Sequence, residues 1–189
     1  VDIDPISYNM SPDALEKKLN QAKSIGKLPK VVIPVHLSGQ SCEMDKIYAL
    51  SMKFGFKILE DASHAIGGTY KGESVGNCKY SDIAVFSFHP VKIITTCEGG
   101  MCLTNDPELA NLIGRYRSHG ITRQPSEMSK TPDGPWYYEQ LNLGLNYRMN
   151  DVQAALGLSQ MDRLDEFIET RRAVSYTHLT LPTTRCVWV

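Results

Sequence analysis

The chain has 189 residues, is 42% hydrophobic and 22% charged, and carries a formal net charge of −1. That composition belongs to a globular domain of moderate size. The near-neutral balance argues against nucleic acid or an anionic membrane as principal partner, since both select a basic face. No apolar run reaches the ~18 residues that a bilayer-spanning helix needs, so no membrane partner is expected.

The opening residues VDIDPISYNM read as the end of a strand, which leads us to expect a preceding segment; they contain none of the three regions of a secretory signal. Ser11, Pro12, Asp13 and Ala14 predict an N-cap with proline in the first helical position, and the helix runs through ALEKKLNQAKSIG to Gly26. VVIPVHL (31–37), bounded by Pro29 and the Ser38–Gly39 turn, predicts a buried strand. Ile47, Leu50 and Phe54 recur at helical spacing, and Gly55 ends that helix. FKILED (56–61) is the next strand, and GTYKGESVGN predicts a short hairpin. DIAVFSF (82–88) and GGMCLTND (99–106) are further strands, followed by a helix in PELANLIGRYRSHG. Apolar strands with helices between several of them predict an α/β fold with a mostly parallel sheet and helices on both faces.

Residues 122–142 are polar and proline-rich around Trp136, Tyr137 and Tyr138, and predict a long loop of the kind that often carries function. Asn150 is expected to cap one amphipathic helix over 151–173, with Val152, Ala155, Leu156, Met161, Leu164 and Ile168 on one face. Asp151 then complements its positive end, and Arg171 and Arg172 its negative end. Residues 174–189 abandon that pattern, and VSYTHLTLPT looks like a translated sequencing adapter. We therefore expect a non-native tail from 174 and assign no role to His178, Cys186 or Trp188.

The five cysteines, Cys42, Cys78, Cys97, Cys102 and Cys186, form no CxxC pair, and their odd number fits the reduced thiols of a cytoplasmic protein without a metal site. The informative residues lie elsewhere. Asp61 ends one predicted strand and Lys92 follows another, and ligands of open α/β sheets gather at the carboxyl ends of strands. Pyridoxal phosphate needs such a pair: an amine to hold it covalently and a carboxylate to keep its ring nitrogen protonated. Each residue alone is weak evidence, because a strand-end aspartate usually caps a turn and a loop lysine is usually solvated.

Their surroundings add weight. ED-x-x-H-x-x-G from Glu60, with S-F-H-x-x-K-x-x-x-x-x-E-G-G from Ser87, resembles the DegT/DnrJ/EryC1/StrS family of sugar aminotransferases, fold-type I pyridoxal-phosphate enzymes. The resemblance extends over residues 1–173. It implies part of the large, cofactor-binding domain of an aspartate aminotransferase-like fold, with the start of a connection to a small domain. It further implies that Lys92 is catalytic and holds pyridoxal 5'-phosphate, that Asp61 pairs with the ring nitrogen, that His64 lies against the cofactor, and that Ser87 binds its phosphate. Asn146, in GLNYRMND, would reach the phosphate of a neighbouring subunit, which implies a homodimer with shared active sites.

His36 and His119 are open to either a substrate-proximal or a core-packing reading. Glu98 with Gly99–Gly100 reads as structural, a sharp turn behind the lysine loop. Some relatives carry histidine at the lysine position and dehydrate the sugar, so Lys92 favours transamination. The implied substrates are glutamate and a UDP-linked 4-keto-6-deoxy sugar. HPVKIITT, YSDIAVFSF, RSHGITR and PWYYEQ narrow the resemblance to members of the pseudaminic acid route. The family's Gly-Thr phosphate-binding turn has no counterpart in the chain. Two alternatives therefore stand beside the enzyme reading: an incomplete, inactive piece of such an enzyme, and a pyridoxal-phosphate-binding regulatory sensor.

Overall fold

A computed structural model describes residues 1–179, which fall into two compact units: residues 1–105 together with the chain from Asp151 onward, and residues 106–150. In the first unit, helix α1 (Pro12–Ser24) starts where Ser11 Oγ accepts the Ala14 N–H at 3.2 Å. Such a cap contributes about 1 kcal/mol. Helix α2 (Met44–Phe54) ends at Gly55, whose φ of 79° is left-handed and suits glycine.

The sheet runs in the order β1 (Val31–Val32), β2 (Lys57–Asp61), β5 (Ile83–Ser87), β6 (Gly100–Leu103). The β1–β2 and β2–β5 pairs are parallel, and β6 is antiparallel to β5. Between them, β3 (Thr69–Tyr70) and β4 (Glu73–Ser74) form the expected hairpin. The first strand is shorter than its apolar run suggests. Pro34 has no N–H for the ladder, so pairing stops at Val32 and resumes only as a bridge from Val35 to Asp61.

The sheet has two unlike faces. Side chains alternate along strands, and Val32, Ile58, Glu60, Ala84 and Phe86 all point to the back. There Leu15 and Leu19 of α1 and Met44, Ile47, Leu50 and Phe54 of α2 close over Val32, Phe56 and Ile58 as the core. Each fully buried aliphatic side chain contributes roughly 1.5–3 kcal/mol. The front face carries Val31, Leu59, Asp61, Ile83, Val85, Ser87 and Cys102, and Val31 is still 48% exposed.

The helix expected over 151–173 is two helices, α4 (Asp151–Met161) and α5 (Leu164–Leu179), broken at Asp162–Arg163. Its expected apolar face is covered only in part among the described residues, with Leu156, Leu164 and Ile168 half-buried and Ala155 and Met161 exposed. Val152 is 80% exposed, and the buried residue of α4 is Gly157. Helix α5 also continues past 173, because adding a residue to a formed helix is far easier than nucleating one. Residues 180–189, with Cys186 and Trp188, lie outside the described residues. No helix of the described residues is long and apolar enough to cross a membrane.

The second unit holds helix α3 (Pro107–Tyr116), capped by Asp106, whose Oδ1 accepts from Glu108 N at 2.8 Å and Leu109 N at 3.3 Å. The long loop expected at 122–142 is closed at its base by β7 (Ile121–Thr122) against β8 (Glu139–Gln140). Within it, Glu127 accepts from Arg115 Nη2 at 2.6 Å and from the Thr122 hydroxyl, and Glu139 accepts from Tyr137 Oη at 2.9 Å. Hydrogen bonds, not apolar packing, order this segment.

Candidate active site

Asp61 is the last residue of β2, paired in register with Val85 on the parallel strand β5. Ser87 lies two residues further along β5, so it shares the front face with Asp61 at the same edge of the sheet. Asp61 is half-buried, and its Oδ1 accepts the Ser63 N–H at 3.1 Å. Among the described residues no donor reaches its second oxygen, which is left for a donor from outside.

Lys92 stands in the loop that leaves this edge from β5. The loop folds tightly on itself. Lys92 N–H donates to His89 O at 3.0 Å, Thr96 N–H to Phe88 O at 3.0 Å, and Thr95 Oγ1 to Phe88 O at 2.8 Å. It returns as β6 through Gly99–Gly100, and a Cβ on Gly100 would stand 2.7 Å from Phe86 O. The sharp return read from these glycines is therefore present, and Gly100 is required by close backbone approach. Lys92 Nζ has no carboxylate partner among the described residues. Ser87 Oγ accepts the His89 N–H at 3.4 Å, a long contact that leaves its own proton uncommitted.

Helix α4 clamps the lysine loop with one face. Gln153 Nε2 donates to Glu98 O at 3.0 Å, Gln160 Oε1 accepts the Thr95 N–H at 2.7 Å, and Gly157 lies between them. A Cβ at Gly157 would stand 2.6 Å from Thr96 Cγ2. From α5, Arg171 Nη2 donates to the Lys92 carbonyl at 3.3 Å. Gln153, Gly157 and Gln160 were not picked out from the sequence, and Arg171 was read there only as a charge at the helix end. The available signal was polar or small residues at i, i+4 and i+7 on a helix otherwise read for its apolar stripe.

The remaining candidates separate. His64 is exposed and lines a cavity of about 430 Å³ beside Ile93, the residue after Lys92. His36 is 0% exposed on the back of the sheet. Its Nδ1 accepts the Cys42 N–H at 3.2 Å, so the ring proton sits on Nε2 and donates to Glu60 Oε1 at 2.8 Å. Ser81 Oγ donates to the other Glu60 oxygen at 2.8 Å. His36 is thus an interior residue whose two ring nitrogens are both engaged. Burial also pushes the neighbouring Cys42 thiol up to about 12. His119 and Asn146 belong to the second unit, where His119 is exposed with φ 63° and donates its N–H to Leu145 O at 2.8 Å. Asn146 is exposed and bridges to Ser118.

A carboxylate with one free oxygen and an available hydroxyl at one end of the sheet, with a lysine in the loop that leaves it, fit a group with an aldehyde carbon, a ring nitrogen to be kept protonated and a phosphate. Pyridoxal phosphate is such a group.

Comparison with known proteins agrees. The chain is 39% identical over 168 residues to the UDP-4-amino-4,6-dideoxy-N-acetyl-beta-L-altrosamine transaminase of Campylobacter jejuni, covering 88% of this chain and 41% of that protein. It is 37% identical to the GDP-perosamine synthase of Caulobacter vibrioides, covering 92% of this chain and 42% of that protein. Among solved structures, Helicobacter pylori PseC, an aminotransferase of pseudoaminic acid biosynthesis, superposes with a TM-score of 0.75 at 34% identity, over 87% of this chain and 40% of that one. Across three further curated relatives the chain spans 43%, 42% and 44% of their length. Residues 1–180 match the DegT/DnrJ/EryC1/StrS aminotransferases, whose cofactor is pyridoxal phosphate, and the chain belongs to that family.

Proposed function

We propose that this chain carries the cofactor-holding part of an aminotransferase that moves an amino group from glutamate to the keto group of a UDP-linked 4-keto-6-deoxy sugar. The observation that carries the reading is the convergence of Asp61 and Ser87 on the front edge of β2–β5, with Lys92 in the loop leaving that edge. Bound there, pyridoxal phosphate supplies an electron sink for the carbanion. Lys92 Nζ would hold it covalently and, as a free amine, would carry a proton to and from the donor Cα, in keeping with a ping-pong exchange of glutamate and sugar. Asp61 keeps the ring nitrogen protonated, Ser87 donates to the phosphate, and His64 covers the ring.

The UDP-linked sugar follows from the name of the Campylobacter relative. A cytoplasmic homodimer completes the reading, with Asn146 reaching the neighbouring subunit's phosphate. Leu143, Leu145 and Tyr147 support such an interface, since these residues flanking Asn146 are 91%, 55% and 75% exposed. We also hold residues 174–189 to be non-native; ordinary genomic coding sequence across those codons would contradict that.

The test is incubation of the purified chain with pyridoxal phosphate. A visible absorbance band that survives dialysis, is bleached by glutamate and is missing in Lys92→Ala is the expected result. A band that glutamate leaves untouched would favour the regulatory-sensor reading, and no band at all the incomplete-piece reading.

A further inference from the structure

The loop that carries Lys92 is held from outside by side chains with no part in the chemistry assigned to Lys92, Asp61 and Ser87. Backbone groups of three loop residues, 92, 95 and 98, each meet a helix side chain. Arg171 Nη2 donates to the Lys92 carbonyl at 3.3 Å, Gln160 Oε1 accepts the Thr95 N–H at 2.7 Å, and Gln153 Nε2 donates to the Glu98 carbonyl at 3.0 Å. The two glutamines lie two turns apart on helix α4 and so share one face. Their amides are turned in opposite senses. An N–H can only donate, so Gln160 must offer its oxygen; a carbonyl can only accept, so Gln153 must offer its nitrogen.

The loop's own bonds leave this work to the helix. Thr96 N–H and Thr95 Oγ1 both go to Phe88 O, and Cys97 N–H goes to Thr95 Oγ1 at 2.9 Å. The Thr95 N–H goes to Gln160 instead, from a half-buried position next to Thr96, which is 1% exposed. Helix α4 brings little apolar packing in exchange. Val152 and Leu158 are 80% and 68% exposed, and its buried residue is Gly157. A helix docked for stability alone would bury an apolar stripe; this one buries hydrogen bonds to a single loop.

We propose that Gln153 and Gln160 are positioning residues for Lys92: they fix the returning limb of its loop, so that the amine meets an incoming aldehyde at one place. The inference rests on the proposed function for what that amine holds. Covalent capture is steeply sensitive to alignment, and a misplacement of about 1 Å costs about a hundredfold in rate.

The opposed amides give the experiment its sign. Gln160→Glu keeps an acceptor for the Thr95 N–H, Gln160→Met keeps the shape without it, and Gln153→Glu sets an acceptor against the Glu98 carbonyl. Growth of the visible band after mixing the full chain with pyridoxal phosphate is followed by stopped flow. Capture should slow on the order of tenfold or more in Q160M and Q153E and stay near wild type in Q160E. The cofactor-free chain supplies a second readout, acylation of Lys92 by trace acetic anhydride relative to exposed Lys27. It should rise severalfold in Q160M and Q153E and stay unchanged in Q160E. Urea midpoints are measured alongside: a lowered midpoint with unchanged capture would make the glutamines structural and overturn the proposal. Equal capture in Q160M and wild type, or the two glutamate variants behaving alike, would overturn it as well. Should Q160M fail to fold, the contrast between Q160E and Q153E still decides. No band in the wild-type chain would sink the aminotransferase reading, and the acylation pattern would then decide the positioning by itself.

Discussion

Glu60 and Asp61 are adjacent carboxylates on one strand, and the sheet gives them opposite fates. Glu60 points back, is 5% exposed, and accepts from His36 Nε2 and Ser81 Oγ. Asp61 points forward, half-buried, with a single backbone donor on one oxygen. A buried carboxylate must be saturated with donors to be tolerated, whereas a carboxylate meant for a ligand must keep capacity in reserve. The strand's period of two puts the same chemical group in a saturated interior on one side and on the open face on the other.

The largest expected effect breaks the front alone. Lys92→Ala should abolish covalent cofactor retention completely while changing unfolding free energy by less than about 0.5 kcal/mol; a cooperative loss of stability would make Lys92 structural. Next, His36→Ala should destabilise by about 3 kcal/mol, since it strands the buried Cys42 N–H and removes one of two donors to Glu60. Urea unfolding measures this, and a loss below about 1 kcal/mol would mean that the back of the sheet is less committed than its geometry implies. The faces should also differ in thiol reactivity. Cys42, its thiol pushed up to about 12 by burial, should resist iodoacetamide in the folded protein, while exposed Cys97 and the front-face Cys102 are alkylated. Peptide mapping reads the order, and prior labelling of Cys42 would show the back face open.

The smallest effect lies away from both faces. Hydrogen bonds from Lys71 and Tyr70 lower the Asp45 carboxyl from 3.8 to about 2. A carboxyl depressed in the folded state contributes stability that is full above pH 3.8 and lost as pH falls towards 2. Asp45→Asn should therefore flatten the acid limb of the stability profile, by under about 1 kcal/mol because the pair is solvent-screened.

Much of this was legible in the chain. Ser11–Pro12 and Gly55 mark helix ends because caps are local chemistry. The strand readings put Asp61 at the end of one strand and Lys92 in the loop after another, where the structure has them. The failures share a cause. Val152 and Met161 sit on a helical stripe that the described residues do not cover, and periodicity reports which face is apolar, not what meets it. Pro34 interrupts a strand that its apolar neighbours advertised. The clamp on the lysine loop escaped because Gln153, Gly157 and Gln160 act through backbone groups, which no side-chain pattern announces.

Gly157 carries one more consequence. Helix α4 rests on the lysine loop through a bare backbone, with Thr96 Cγ2 where a side chain would begin. A single methyl group there would act as a wedge, lifting the loop without touching a titratable atom, while the better helix propensity of alanine, worth about 1 kcal/mol, opposes the strain. The seat of the loop that carries Lys92 therefore depends on the thickness of one contact, at a position far from any titratable group.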